Sequence, residues 1–249
     1  MAMTHNADAH QTSPGHAFLT THWSIVLAAG SEGSPGAVAA MQRLCCTYWY
    51  PIYAHVRRCG KDAPDAQDLT QEFFTMLLQR DDLAGVRREK GRFRSFLLAS
   101  LQHFLANERK KASRLKRGGG KIIVSIDPAS AEERYAREPS HDATPEKLFE
   151  RRWAMTLLGQ VLDGLREEFR RAGKLPLFER LKIFLTHDGG GPAYAEVAGQ
   201  LGLTEAAVKM AVSRLRRRYR DLFRAEIAAT VATPDEVDEE IRQLFIALG

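Results

Sequence analysis

The clearest structural signal lies in residues 194–220, which read YAEVAGQLGLTEAAVKMAVSRLRRRYR. Apolar residues recur at helical spacing on both sides of Leu201-Gly202-Leu203. This pattern predicts one helix over 193–200 and a second over 204–224, joined by a turn at the glycine. Two helices connected in this way form a helix-turn-helix.

The second of these helices has two chemically distinct faces. Thr204 suits its N-cap, and Glu205 suits the positive end of its dipole. One face is an apolar stripe that we expect to be buried, made of Val208, Val212, Leu215, Tyr219 and Leu222. The other face carries small, polar and basic side chains, namely Ala206, Lys209, Met210, Ser213, Arg214 and Arg217. Such a face can enter the major groove of DNA, with its first residues at base edges and its arginines on phosphates.

Positive charge is concentrated in two blocks, although the net charge of the 249-residue chain is only +5. Residues 87–117 hold eleven basic residues against two acidic ones, and residues 209–224 hold seven against one. Because neutralising phosphates releases counterions, two such blocks beside helical periodicity favour two contacts with nucleic acid. A solvated helix face is the alternative for either block taken alone.

An acidic helix is predicted to begin near Pro64. Its apolar stripe consists of Leu69, Phe73, Met76 and Leu77. Asp65, Asp68 and Glu72 make an acidic stripe beside it. Acidic residues in a first turn suit the helix dipole, but Glu72 lies two turns in and needs another explanation.

A further helix is predicted over 93–112, after a break at Gly91. One face carries Phe93, Phe96, Leu97, Ser100 and Phe104, and the opposite face carries Ser95, Gln102, Ala106 and Arg109. Hydrogen-bonding side chains opposite a core stripe, followed by Lys110 and Lys111, are typical of a helix that lies against nucleic acid.

The chain is therefore predicted to be all-α, with two small helical domains joined by a linker. The divisions are a disordered lead (1–16), a first domain (17–117), an acidic linker (118–144), a second domain with the helix-turn-helix (145–230) and a C-terminal extension (231–249). In the extension, Thr233-Pro234-Asp235-Glu236 has the form of a capping box. It opens a short helix whose apolar face is Val237, Ile241, Leu244, Phe245 and Leu248. Because so short a helix is unstable alone in water, we expect it to pack on the second domain or on a partner.

Composition excludes several classes of protein. No window approaches the roughly 18 consecutive apolar residues of a membrane span. The three cysteines, Cys45, Cys46 and Cys59, have no zinc-site spacing and indicate free thiols in a reducing cytoplasm. We expect no metal, no cofactor, no membrane association and a cytoplasmic location.

Three motifs together resemble a bacterial RNA polymerase sigma factor of the extracytoplasmic-function type. They are DAQDLTQEFF at 65–74, GRFRSFL at 91–97, and YAEVA at 194–198 with LGLTEAAVK at 201–209 and RLRR at 214–217. The resemblance extends from about His22 to the C-terminus, and the most similar subgroup shares the opening TTHWSIVLAAG and an acidic C-terminal helix.

The resemblance implies that the chain binds core polymerase and promoter DNA and has no enzymatic activity of its own. It implies that the clamp helices of the largest polymerase subunit are bound by Asp65, Asp68, Leu69, Gln71, Glu72 and Phe73. It implies that the unstacked bases of the −10 element are bound by Arg92, Phe93, Arg94, Ser95, Gln102, His103, Asn107, Arg109 and Lys110. It implies that the −35 element is bound as duplex by Thr204, Glu205, Ala206, Lys209, Met210, Ser213, Arg214 and Arg217. Phe93 and Phe96 are open to two interpretations, as stacking platforms or, as we favour, as core residues.

The resemblance also implies partners for the second domain. Helices near the helix-turn-helix resemble the surface that holds the polymerase flap. Whether an anti-sigma protein or another regulator also binds is left open. We hypothesise that the C-terminal helix folds back on the second domain and tunes access to the −35 contact surface.

Two other functions fit part of the sequence. A stand-alone helix-turn-helix regulator would use the second domain alone and would leave the acidic stripe unexplained. A nuclease would use Asp65, Asp68 and Glu72 to hold Mg²⁺, but no catalytic partner for these carboxylates is recognisable.

Overall fold

The structure is a computed structural model that describes residues 37–79, 92–112, 128–137, 144–186, 194–231 and 233–249. Every regular element in these ranges is a helix, so the all-α prediction is confirmed. The helices are α1 (Ala37–Arg58), α2 (Ala63–Gln79), α3 (Phe93–Ala112), α4 (Pro128–Ala136), α5 (Pro145–Arg171), α6 (Leu175–Leu181), α7 (Ile183–Thr186), α8 (Tyr194–Leu201), α9 (Glu205–Ala228) and α10 (Val237–Leu248), with a 3-10 turn at Pro234–Glu236. The lead predicted for 1–16 lies outside the described residues.

Helix α1 lies at the centre of the first hydrophobic core. Its side chains are buried almost without interruption from Leu44 to Val56, and Tyr48, Ile52 and Tyr53 are completely buried. A helix that is apolar all round must be covered on all sides. Helices α2, α4 and α5 pack against it.

The predicted faces of α2 and α3 are confirmed. In α2, Phe73 and Leu77 are buried, while Leu69 and Met76 are half-buried against the same core. In α3, the expected face Phe93, Leu97, Ser100 and Phe104 is buried and Phe96 is half-buried. The rings of Phe73 and Phe104 lie 5.7 Å apart, so the two helices share one aromatic core.

Part of the predicted linker is a helix. Residues 128–136 form α4, and Ala131 is buried in the first core. Glu132 accepts hydrogen bonds from the Tyr53 hydroxyl and from Arg57 Nη2, the latter at 2.6 Å. The Arg57 hydrogen bond is the main reason that the pKa of Glu132 lies below its usual value. These contacts come from residues far away in the sequence, which explains why a segment without apolar periodicity is helical.

Helix α5 contributes to two hydrophobic cores. It has 27 residues and begins at the N-cap Thr144, whose side chain accepts a hydrogen bond from the Lys147 amide. Its buried side chains Phe149, Trp153 and Leu157 belong to the first core, whereas Leu165 belongs to the second. The change from one core to the other therefore falls within this helix.

The second core contains the predicted helix-turn-helix. Phe178, Val197, Val208, Val212 and Leu215 are all buried there. The Thr204 side chain accepts a hydrogen bond from the Ala207 amide, which confirms the expected N-cap. The turn before it contains Gly202 at φ +64°, in the left-handed region that glycine adopts with least strain.

Replacing Gly202 by alanine is expected to lower the free energy of unfolding by about 1 kcal/mol, because alanine is strained at a positive φ. An added Cβ would meet nothing within 4 Å, so no steric clash adds to the backbone strain. Gly199, in the neighbouring helix α8, is the matched control. Its Cβ would also meet nothing within 4 Å, and Gly199→Ala is expected to raise stability by about 0.5 to 1 kcal/mol. Urea unfolding measures both, and shifts of equal sign would contradict the prediction.

The C-terminal helix α10 packs on helices α5 and α9. The Thr233 amide donates to Glu236 Oε2 at 3.1 Å, which is one half of the predicted capping box. Val237 and Leu244 are buried, but they join the first core rather than that of the helix-turn-helix. Phe245, expected on the packed face, is 57% exposed.

Candidate nucleic-acid interface

The outer face of α9 is a continuous exposed surface. The side chains of Thr204, Glu205, Ala206, Lys209, Met210, Ser213, Arg214 and Arg217 are all exposed, as the sequence predicted. Lys209 Nζ lies 2.6 Å from Glu205 Oε1, and this hydrogen bond raises the pKa of the lysine. Met210 is 57% exposed and gives the face an apolar spot that can contact a thymine methyl group. Helix α10 leaves this face uncovered, so its position does not support the hypothesis that it tunes access here.

Three arginine side chains of α9 are engaged in contacts within the protein. Arg216 donates to the Phe184 carbonyl oxygen at 3.0 and 2.8 Å, and Arg218 pairs with Glu168 at 2.6 Å. Arg224 pairs with Asp238 of the C-terminal helix at 2.6 Å. Of the arginines of α9, Arg214, Arg217 and Arg220 are exposed and make none of these three contacts.

Beside this face lies a shallow groove of about 520 Å³ that the sequence did not reveal. It is lined in part by Tyr194, Arg217 and Arg220. The Tyr194 ring stacks on Phe184 at 4.7 Å between centroids, which fixes the start of α8 beside the basic side of α9. Arg220 could have been included among the DNA-binding residues from the sequence, because it lies in the basic run 214–220. The position of Tyr194 depends on its tertiary contact with Phe184.

Most of the predicted −10 residues form an exposed row on α3. Ser95, Gln102, His103, Asn107, Arg109 and Lys110 are all exposed. Gln102 Nε2 donates to Glu146 Oε1 at 3.1 Å, so this residue is tied to the start of α5. The row combines amides, a hydroxyl and cations, which are the groups that can bind bases and phosphates of a single strand.

Phe93, Arg94 and Arg92 stand apart from that row. Phe93 is completely buried, with its ring 5.3 Å from that of Tyr48, which confirms the interpretation as a core residue. The Arg94 side chain is only 4% exposed. Arg92 is 28% exposed, and its Nε lies 2.8 Å from Glu240 Oε2. In this conformation these residues do not form one surface with the rest of the set.

Arg94 is held by two carboxylates. Its Nε lies 2.6 Å from Glu240 Oε1, its Nη1 lies 2.6 Å from Glu150 Oε1, and its guanidinium lies 5.2 Å from the centre of the Trp153 ring. Burial opposes the charge, but the hydrogen bonds and charges of the two glutamates outweigh it, and the pKa of Arg94 is raised. The sequence carried a signal for this, since Arg94, Leu97, Leu101 and Leu105 share one helical stripe.

The predicted polymerase-binding set lies on α2. Asp65, Asp68 and Glu72 are exposed, Leu69 and Gln71 are half-buried, and Phe73 is completely buried. An exposed acidic stripe thus borders the half-buried Leu69. Among the described residues, no three His, Cys, Asp or Glu side chains come together as a possible metal site.

Comparison with protein-family models, curated proteins and solved structures gives no match. None of the described helices is long and apolar enough to cross a membrane.

Proposed function

We propose that this protein is a transcription initiation factor that binds core RNA polymerase and directs it to promoters. The observation that carries the proposal is the pairing of two oppositely charged surfaces on one aromatic core. Helix α2 presents the acidic stripe Asp65, Asp68 and Glu72, and helix α3 presents a polar and basic row. Phe73 and Phe104 hold these helices together.

Each surface has a distinct role in the proposal. The acidic stripe docks on a basic surface of polymerase, where complementary charge gives orientation and fast association. The α3 row binds the unpaired strand of the −10 element, and the α9 face binds the −35 element as duplex. The protein supplies binding energy and needs no reaction chemistry, metal or cofactor for this role.

Co-elution with purified bacterial core RNA polymerase on a sizing column tests the proposal. A chain that moves into the polymerase fraction supports it, and promoter mapping with the reconstituted complex would follow. A chain that stays separate from polymerase yet binds duplex DNA would overturn it in favour of the stand-alone regulator, which uses the α9 face alone.

Arg214→Ala is expected to weaken binding to a duplex that carries the −35 element. The loss is about 1 to 3 kcal/mol if Arg214 contacts a base edge, or a decrease of about one in the salt slope if it contacts a phosphate. Arg218→Ala is the control, because Arg218 is already paired with Glu168 at 2.6 Å and should change affinity less. Fluorescence anisotropy at several salt concentrations measures both quantities. Equal losses in the two variants would argue against the assigned face.

A further inference from the structure

Thr230 and Glu240 cover the amino end of α3 through polar contacts. The Phe93 amide donates to the Thr230 carbonyl oxygen at 3.2 Å. Arg92 Nε and Arg94 Nε both contact Glu240, at 2.8 and 2.6 Å. The first turn of α3 is thus joined to residues that follow α9 in the chain.

Glu240 is the centre of this contact. Its side chain is 0% exposed, and it lies on the packed face of α10 between Val237 and Leu244. Its two oxygens are shared between two guanidinium groups, as the distances to Arg92 and Arg94 show. A buried ion pair is often no more stable than apolar side chains of the same volume, so these charges add little to the docking of α10 beyond what apolar contacts would give.

Helix α10 is too short to survive without its docking site. It has 12 residues, of which Val237, Glu240 and Leu244 are buried. Helices shorter than about 12 to 15 residues are marginal in water even with good helix formers. Undocking of α10 is therefore coupled to its unfolding, which makes the undocked state detectable by amide exchange.

We propose that α10 is an intramolecular clasp whose Glu240 competes with nucleic-acid phosphates for Arg92 and Arg94. The inference rests on the proposed function, because it gives a regulatory role to two of the residues assigned to the −10 element. With the clasp closed, both guanidinium groups are occupied by a carboxylate. With the clasp open, Arg92 extends the exposed row on α3 at its amino end, and Arg94 keeps Glu150 as its one carboxylate partner of the two described above.

The competition is reciprocal by linkage. If docking of α10 weakens binding of a polyanion by some factor, the polyanion weakens docking of α10 by the same factor. Single-stranded DNA should therefore loosen the C-terminal helix even though it does not touch it. This consequence separates the clasp from an ion pair that merely holds the fold together.

Glu240→Gln tests the clasp in the full-length chain. The substitution keeps the shape of the side chain and removes the charge that Glu240 presents to Arg92 and Arg94, while Glu150 keeps its contact with Arg94. We expect the variant to bind a labelled single-stranded DNA oligonucleotide about tenfold more tightly than the unmodified protein, with the salt slope steeper by about one or two phosphate contacts. Glu133→Gln is the matched control: the same change on α4, at an exposed position, is expected to leave binding unchanged.

Equal affinity of Glu240→Gln and the control would overturn the clasp, and so would absence of binding in both. Hydrogen–deuterium exchange on the unmodified protein keeps the test valid if Glu240→Gln does not fold. Saturating oligonucleotide should speed exchange at amides 237–248 while protecting those of α3. Unchanged protection of α10 in the DNA complex would contradict the competition.

Failure of the clasp and failure of the proposed function can be told apart. A chain that co-elutes with polymerase but shows no effect of Glu240→Gln loses the clasp alone. A chain that does not co-elute loses the proposed function, whatever the oligonucleotide measurements show.

Discussion

Charge reversal at Asp68 and Glu72 is expected to abolish co-elution of the chain with core RNA polymerase. Both side chains are exposed on α2, so Asp68→Arg with Glu72→Arg should leave the fold intact. Like charges placed opposite each other at an interface cost several kcal/mol. A loss of affinity of about a hundredfold or more follows, since each factor of ten corresponds to about 1.4 kcal/mol.

The control for this variant reverses two acidic charges elsewhere. Glu133 on α4 and Asp163 on α5 are exposed and lie outside the α2 stripe, the α3 row and the α9 face. Glu133→Arg with Asp163→Arg changes the net charge by the same amount and should retain co-elution. Unchanged thermal unfolding in both variants would show that folding is not the cause. If both double variants lost polymerase equally, net charge rather than the α2 stripe would explain the binding.

Helical periodicity was sufficient where a helix has one buried and one exposed face. The stripes of α2, α3 and α9 could be predicted because their apolar residues recur every three or four positions. In α9, for example, Val208, Val212 and Leu215 are buried, while Lys209, Ser213 and Arg214 are exposed. The N-cap Thr204 was predictable for the same reason, since a cap depends on local sequence.

Periodicity was insufficient where tertiary contacts decide the structure. Helix α4 has little apolar surface, and its position depends on the hydrogen bonds between Glu132 and two residues of α1. Helix α5 has one continuous pattern, so the sequence could not show that Trp153 and Leu165 belong to different cores. Contacts between distant parts of the chain leave no local signal.

The burial of Arg94 combines both situations. Its place in a stripe with Leu97 and Leu101 was visible in the sequence, and so was the place of Glu240 between Val237 and Leu244. Each alone is a charge on an apolar face, which is costly when buried without a partner. Only the fold shows that these two charges, 146 positions apart, neutralise each other.

Removing one partner of the Arg94–Glu240 pair is expected to have the largest effect on stability. Arg94→Met is expected to lower the free energy of unfolding by about 3 kcal/mol. The substitution leaves the buried Glu240 carboxylate with Arg92 as its one nearby partner of the two arginines. Glu240→Leu alone should cost a similar amount, since Arg94 then keeps Glu150 but loses two hydrogen bonds. The double variant restores an apolar contact between α3 and α10 and should be far less destabilised than the sum of the two. Urea unfolding of the four proteins gives the coupling energy. Strict additivity would mean that the two side chains do not stabilise each other, and that α10 is held in place by its other contacts, such as buried Val237 and Leu244.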